Sequence, residues 1–311
     1  MSSPLDHRAK PQSELRRKPA FFNFPFTLNW HRPHPDMTHS RDSRPPRPTS
    51  RLAGRLAVEE ELAAEHHEST APKRPRLHGT PLVSCIMPTA DRREFVPYAI
   101  QRFLAQTYPQ KELVIVDDGH QSCEDLIPAH PEIYYFRHPG GITLGEKRNH
   151  CIAQTRGSIL HHWDDDDWTH PNWLNLQVGW LMASDADIVG LANLYFYDPV
   201  HRQAWQYDYP PIDPAWVHGA TLCYRRDFWR DNPFPPLDEG EDCRFLWTPQ
   251  PKKIEKHSGK HLFAATVHTT NASEKSVTDS RWTPQPYTTI EEMLGPDLPE
   301  IREILLARQW R

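Results

Sequence analysis

Four consecutive aspartates, residues 164–167, follow a short apolar segment that begins at Ser158 and precede a helix start at Pro171. Adjacent carboxylates repel one another, so this position needs a compensating positive charge. A hard divalent cation with oxygen ligands is the usual one in proteins. Ligands of open α/β sheets bind beyond the carboxyl ends of the strands. The run therefore predicts such a sheet, with a metal ion at its edge that binds the phosphates of a nucleotide.

Segments with strand and helix character alternate from residue 81 onward, which indicates βαβ units and a mainly parallel sheet. Because such crossovers are right-handed, the ends of the first, second and fourth strands should lie on one edge. After residue 187 strands dominate, which indicates a mixed sheet. The predicted strands are 82–87, 111–116, 133–136, 158–163, 188–197, 203–207, 219–224 and 262–267, and the predicted helices are 95–107, 123–127, 144–155, 171–184 and 241–247.

Residues 1–80 have a different composition, and we predict a disordered, basic, proline-rich tail. Up to Arg55 this segment holds eleven Lys or Arg residues against four acidic ones. The whole chain has 32 prolines and a hydrophobic fraction of 37%, which is low for a wholly globular chain. The functional alternative is a basic arm that touches an anionic membrane surface or nucleic acid.

The rest of the composition limits the cellular context. No segment approaches the ~20 apolar residues of a transmembrane helix, and no secretory signal opens the chain. The net charge of −5 argues against a nucleic-acid partner overall. The cysteines form no CxxC pair, which predicts reduced thiols in a cytoplasmic protein. They are Cys85, Cys123, Cys151, Cys223 and Cys243.

Polar turns should meet the aspartate run at the same sheet edge. Thr89 follows the first predicted strand, and Asp117 and Asp118 follow the second. A carboxylate after the second strand can accept hydrogen bonds from a base or a ribose hydroxyl. Asp117 has a simpler interpretation as well, because aspartates commonly cap their own turn.

A glycine-containing helix start, at residues 141–149, should face the same cleft. Backbone N–H groups at Gly145 and the positive end of the helix dipole favour phosphate there. Lys147 and Arg148 add positive charge toward the phosphates.

Five segments together resemble glycosyltransferase family 2, whose members have the GT-A fold. Four resemble the family's nucleotide-binding half, and the fifth resembles its Glu-Asp motif. In chain order they are Pro88–Arg92, Val114–Gly119, Gly145–Asn149, Asp164–Asp167 and Gly240–Leu246. The resemblance covers residues 81–271. It implies one GT-A domain with a nucleotide-sugar-binding half (81–184) and a mixed-sheet acceptor half (185–275), followed by a C-terminal extension (276–311).

The resemblance also implies roles for the donor-side residues. Thr89 and Asp118 line the nucleoside pocket, and Asp164 contacts the ribose. Asp166 binds a divalent cation, Mn²⁺ or Mg²⁺, that bridges the diphosphate, with Asp164 beside it. Four aspartates in a row contain two overlapping Asp-x-Asp pairs, Asp164/Asp166 and Asp165/Asp167. The Asp164/Asp166 register fits the family's strand-end position better.

Two further positions follow from the family pattern. Asp242, next to Glu241, is implied to be the catalytic base of an inverting reaction. His268 follows the predicted strand 262–267, and GT-A enzymes often place a late histidine on the metal, which a neutral imidazole suits. The alternative for His268 is an ordinary histidine at a strand end.

The leading hypothesis is a metal-dependent inverting glycosyltransferase that uses a nucleotide sugar, with UDP as the expected nucleotide. Its acceptor hydroxyl belongs to a glycan, a lipid-linked intermediate, a protein or a small molecule. One alternative is a degenerate protein that binds nucleotide sugars without turnover, and the intact Glu241–Asp242 pair argues against it. Another is a sugar-phosphate nucleotidylyltransferase, but the turn after the first strand lacks the glycine-rich loop of those enzymes.

Overall fold

The computed structural model of the chain describes residues 79–209, 215–247, 253–271, 275, 277 and 279–309. The predicted tail lies outside the described residues except for its last two positions. The strands are β1 (Val83–Thr89), β2 (Lys111–Asp117), β3 (Ile133–Arg137), β4 (Ile159–His162), β5 (Trp168–Thr169), β6 (Ile188–Asp198), β7 (Gln203–Asp208), β8 (Cys223–Arg225), β9 (Ile254–Ser258), β10 (Phe263–Thr266) and β11 (Trp282–Gln285). The helices are α1 (Val96–Leu104), α2 (Leu144–Ala153), α3 (Trp173–Ala183), α4 (Arg226–Asp231), α5 (Glu241–Leu246), α6 (Tyr287–Leu294) and α7 (Leu298–Gln309).

The first half of the sheet is parallel, in the order β3-β2-β1-β4. Its strands are rich in buried aliphatic residues, as expected where helices cover a parallel sheet. In the register of β1 and β2, Thr89 lies opposite Asp117. The aspartate run begins two residues after β4 ends. The predicted parallel sheet is confirmed, and the three polar turns leave the same edge of it.

The second half of the sheet is mixed, which confirms the α/β architecture predicted for residues beyond 187. Strand β8 pairs antiparallel with β4 and β6, whereas β9 and β10 run parallel to β6. The predicted strand 219–224 is wrong in its first half, because Gly219–Thr221 forms a 3₁₀ turn. The Thr221 hydroxyl donates to the His218 carbonyl at 2.8 Å, and the Leu191 N–H donates to that hydroxyl at 3.0 Å. These bonds hold the turn against β6.

The predicted C-terminal extension is built into the same domain. Strand β11 pairs antiparallel with β7 at the edge of the sheet. Helices α6 and α7 bury Ile290, Leu294 and Ile301 in one apolar cluster with Phe95 and Tyr98. These contacts join segments that are far apart in the chain, so no local sequence pattern predicts this packing.

None of the helices in the described ranges combines the length and the apolar character needed to cross a lipid bilayer.

Candidate active site

The aspartate run is held between two anchored tryptophans. Trp163 and Trp168 are only 3% and 2% exposed. The Trp163 indole N–H donates to the Ala99 carbonyl at 3.1 Å, and the Trp168 indole N–H donates to the Asp297 carboxylate at 2.9 Å. The run is therefore a fixed turn against α1 and the C-terminal helices, and not a freely solvated loop.

Alternate carboxylates of the run are bound by the protein interior. Asp165 accepts a hydrogen bond from the Thr89 hydroxyl at 2.8 Å, and Asp167 accepts one from the Thr266 N–H at 3.0 Å. Burial raises the pKa of Asp165 to about 7 and that of Asp167 well above its usual range. By contrast, the Asp164 side chain is 29% exposed. Asp166 is only 5% exposed, so Asp164 is the most exposed carboxylate of the run.

Asp166 is the centre of a compact polar cluster. One carboxylate oxygen, Oδ2, lies 2.6 Å from Arg92 Nη2, 2.8 Å from His268 Nε2 and 3.3 Å from Asn271 Nδ2. Burial alone would raise the pKa of Asp166, but Arg92 and His268 outweigh it and lower the pKa well below its usual range. Asp166 is consequently a buried anion that requires nearby cationic partners.

The Asp166–His268 pair suits a transition-metal ion such as Mn²⁺, because carboxylate and imidazole are both among its accepted ligands. Across the residues that the structure describes, no three His, Cys, Asp or Glu side chains form a complete ligand cluster. Arg92 occupies the space beside the pair instead. The residues therefore fit a cation that takes its remaining ligands from a bound diphosphate and water.

The facing wall of the cleft is the start of α5. Glu241 is 4% exposed and accepts a hydrogen bond from Arg148 Nε at 3.0 Å. The same guanidinium lies 3.7 Å from Asp164, so one buried cation joins the two acidic motifs. Burial raises the pKa of Glu241, while Arg148 opposes that shift.

Asp242 and residues 164–167 line a single cleft with about 880 Å³ of empty space, open mouth included. The Asp242 carboxylate is half-buried and accepts the Cys243 N–H at 2.7 Å. Its other oxygen lies against Gly219, where an added Cβ would stand 2.0 Å from it. The glycine of the 3₁₀ turn thus gives the Asp242 carboxylate the room to reach this position.

The residues expected around the nucleoside are tied to one another. Asp118 forms an ion pair with Lys147, whose ammonium also lies 3.4 Å from the Thr89 carbonyl. Asp117 is fully buried and accepts hydrogen bonds from the N–H groups of Gly119 and Cys123, at 2.9 and 3.0 Å. Asp117 thereby caps its own turn, and Lys147 is directed at Asp118.

The start of α2 is also engaged by the protein. The N–H groups of Leu144 and Gly145 donate to Asp238 and Leu237, at 3.2 and 3.0 Å. A Cβ at Gly145 would stand 1.9 Å from the Pro235 carbonyl oxygen. In this structure the glycine and its N–H group therefore fix the loop before α5, and they do not face an open phosphate site.

Two residues of the site were missed by the sequence interpretation. Arg92 binds both Asp165 and Asp166, and Gly219 abuts Asp242. The sequence could have indicated Arg92, because it is a basic residue in the turn after β1 and that turn lies on the same sheet edge as the acidic run. The contact between Gly219 and Asp242 depends on how α5 packs, which no local pattern specifies.

Residues 84–244, just over half of the 311-residue chain, match the family model described as Glycosyl transferase family 2. The chain belongs to glycosyltransferase family 2. This confirms the predicted family. It also favours the leading hypothesis over the nucleotidylyltransferase alternative.

Curated relatives match part of the family 2 chain. One relative is the Escherichia coli (strain K12) protein named colanic acid biosynthesis glycosyl transferase WcaA. It is 30% identical over 177 residues, which cover 54% of this chain and 62% of that protein. A glycosyltransferase of Rickettsia typhi is 27% identical over 160 residues, covering 46% and 50%. The chain spans between a half and two thirds of the length of these relatives.

Solved structures align with most of the described domain at low identity. Staphylococcus aureus TarS in complex with UDP-GlcNAc is 16% identical, with a TM-score of 0.49 over 74% of this chain and 72% of that one. The mannosyltransferase PcManGT from Pyrobaculum calidifontis, in complex with GDP-Man and Mn²⁺, is 14% identical, with a TM-score of 0.49 over 76% and 79%. At these TM-scores the family assignment depends on the sequence match.

Proposed function

We propose that this family 2 chain is a metal-dependent, inverting glycosyltransferase that moves a sugar from a nucleotide donor to an acceptor hydroxyl. The supporting observation is the single cleft that residues 164–167 and Asp242 line from two walls. A UDP-sugar is the donor that we expect from the family resemblance. The acceptor is a glycan, a lipid-linked intermediate, a protein or a small molecule.

We assign the donor side of the cleft to the aspartate run. Asp164 and Asp166, with His268, would hold the Mn²⁺ or Mg²⁺ ion, and Asp164 would also contact the ribose. When bound, the ion supplies Lewis-acid stabilisation of the leaving nucleoside diphosphate. We assign the nucleoside to the region of Thr89 and Asp118. The Asp118 carboxylate would release Lys147 and bind the nucleoside instead.

We assign the acceptor side to Asp242. Its half-buried carboxylate takes the proton of the acceptor hydroxyl, and that oxygen forms a bond to the anomeric carbon of the sugar. The bond from this carbon to the diphosphate oxygen breaks on the opposite face, and its electron pair leaves with the diphosphate, so the configuration inverts. General-base assistance of this kind typically contributes ~10²–10⁴-fold to the rate.

Glu241 then acts as a positioning residue in this scheme. Its carboxylate is bound to Arg148 and is only 4% exposed, whereas Asp242 is half-buried. The ion pair orients the first turn of α5 and keeps Arg148 beside Asp164. A buried, hydrogen-bonded pair of this kind is costly to break, which makes the orientation firm.

The test is a panel of nucleotide sugars, each measured by thermal shift with Mn²⁺ and again with EDTA. We expect one donor, with UDP as its nucleotide, to raise the melting temperature only when metal is present. The reaction product of that donor should have the inverted anomeric configuration by NMR. Absence of any metal-dependent shift across the panel, or a retained configuration, would refute the corresponding part of the proposal.

A further inference from the structure

Arg92 lies in the position that a cation bound to Asp166 and His268 would need. Its Nη2 atom is 2.6 Å from the Asp166 Oδ2 atom and 3.3 Å from His268 Nε2, and those two atoms are themselves 2.8 Å apart. The same nitrogen lies 3.2 Å from the Thr270 carbonyl oxygen. One guanidinium nitrogen thus contacts the Asp166 and Thr270 oxygens and lies beside the His268 Nε2 atom, which itself donates to Asp166.

The rest of the Arg92 side chain is bound less completely. Nη1 donates to Asp165 at 2.7 Å, and the guanidinium lies 5.2 Å from the centre of the Phe95 ring. Among the described residues, Nε has no hydrogen-bond partner although it is buried. Arg92 belongs to the irregular segment between β1 and α1, so its side chain can move without breaking a helix or strand.

A guanidinium nitrogen and a divalent cation cannot occupy the same point beside the Asp166 Oδ2 and His268 Nε2 atoms. Ligand bonds to a metal are about 2 Å long, shorter than the hydrogen bonds that Arg92 makes here. The metal would therefore have to replace Nη2. The Asp166 charge is compensated in either state, first by the arginine and then by the ion, which avoids an unpaired buried carboxylate.

We propose that Arg92 is an internal counter-cation that occupies the metal position beside Asp166 and has to leave that carboxylate before a divalent cation binds. This inference deepens the proposed function and rests on it. It makes Arg92 a positioning residue that sets the affinity of the site for metal. The resting protein consequently binds free Mn²⁺ weakly, and removal of the arginine side chain strengthens binding.

The experiment measures Mn²⁺ binding without nucleotide, from the EPR signal of free Mn²⁺, in the wild-type chain and in Arg92→Ala. We expect the dissociation constant to fall about 10- to 100-fold in the variant, the change that corresponds to removing one competing hydrogen bond to a charged group. Arg92→Lys, which retains a charge but not the bidentate contact, should fall between the two.

Arg93→Ala is the matched control. It removes the same charge one residue away, where Arg93 forms an ion pair with the exposed Asp125. Its Mn²⁺ affinity should equal that of the wild type. Equal tightening in Arg92→Ala and Arg93→Ala would indicate a general charge effect and overturn the proposal, as would unchanged or weaker binding in Arg92→Ala.

Arg92→Lys carries the test if Arg92→Ala is too unstable to handle without metal, and it should then bind Mn²⁺ more tightly than the wild type. A second measurement uses a free guanidinium compound in the Arg92→Ala variant. Methylguanidinium added to the variant should compete with Mn²⁺ and raise its apparent dissociation constant, with no such effect on the wild type. Failure of this competition would overturn the proposal. If neither chain binds Mn²⁺, even with UDP present, the metal dependence in the proposed function fails as well. If UDP and Mn²⁺ bind normally but Arg92→Ala changes nothing, only this inference fails.

Discussion

The two acidic walls of the cleft differ in how tightly their carboxylates are held. In the aspartate run, Asp165 and Asp166 are 1% and 5% exposed and share the Arg92 guanidinium. On the facing wall, Asp242 is half-buried and accepts the N–H of the next residue in its helix. A fixed anionic cluster suits the binding of a cation, whereas a single accessible carboxylate suits proton exchange with an incoming acceptor. The difference therefore supports the proposed division into a donor side and an acceptor side.

The largest effect should follow from Asp166→Asn, which removes one charge with little change of shape. We expect transfer to fall by at least ~10³-fold, since a metal supplies several kcal/mol of transition-state stabilisation. The metal-dependent thermal shift with the donor should disappear as well. Asp167→Asn is the control, because an amide oxygen still accepts the Thr266 N–H. Equal losses in the two variants would contradict the assigned register.

Asp242→Asn should affect catalysis and leave binding intact. Loss of the proton acceptor is expected to lower kcat by ~10²–10⁴-fold. Donor affinity in Mn²⁺, measured by calorimetry, should match that of the wild type, since the change lies on the other wall. A near-normal kcat would favour the alternative that the protein binds nucleotide sugars without turnover. A loss of donor affinity would contradict the assignment of donor binding to the aspartate run alone.

Arg148 joins the two walls, so Arg148→Met tests whether they depend on each other structurally. The variant leaves the buried Glu241 carboxylate without its partner, and such losses typically cost ~3–5 kcal/mol of unfolding free energy. Urea denaturation measures this change. Arg230→Met breaks an exposed ion pair with Asp227 and should cost far less. Similar stabilities for the two variants would argue that Arg148 is not structurally important.

Gly219→Ala should give the smallest effect, confined to the acceptor wall. The new methyl group would push the Asp242 carboxylate aside, and a displacement of about 1 Å can cost ~10²-fold in rate. Gly179→Ala, in α3, is the control, because no atom lies within 4 Å of the added Cβ. Rates of Gly219→Ala equal to those of the control would mean that Asp242 tolerates displacement.

The sequence predicted the sheet edge that forms the donor wall and the Glu241–Asp242 pair of the acceptor wall, but it did not predict the contacts that hold either wall. Parallel strands joined by short crossovers put Thr89, Asp117 and the aspartate run on one edge, which follows from local patterns alone. The partners of those side chains were not predictable. Lys147 was expected to point toward phosphates, yet it pairs with Asp118, because only the packed structure brings the two together.

On the acceptor wall the decisive contacts are between distant segments. Arg148 meets Glu241 across 93 positions of the chain, and Gly219 meets Asp242 through the docking of α5. Strand β11 was missed because its pairing with β7 depends on the preceding chain returning to the sheet edge. Periodicity reports which residues are apolar, but it carries no information on which surfaces meet.

The most direct test of the account is a crystal of the protein with Mn²⁺ and UDP, examined by anomalous scattering from the metal. The account predicts one peak at ligand distance, about 2 Å, from the carboxylate of Asp166, inside the cleft that Asp242 faces. The Arg92 guanidinium should have moved away from that oxygen. A nucleotide-bound structure whose manganese peak lies away from Asp166, or on a different face of the molecule from Asp242, would contradict it.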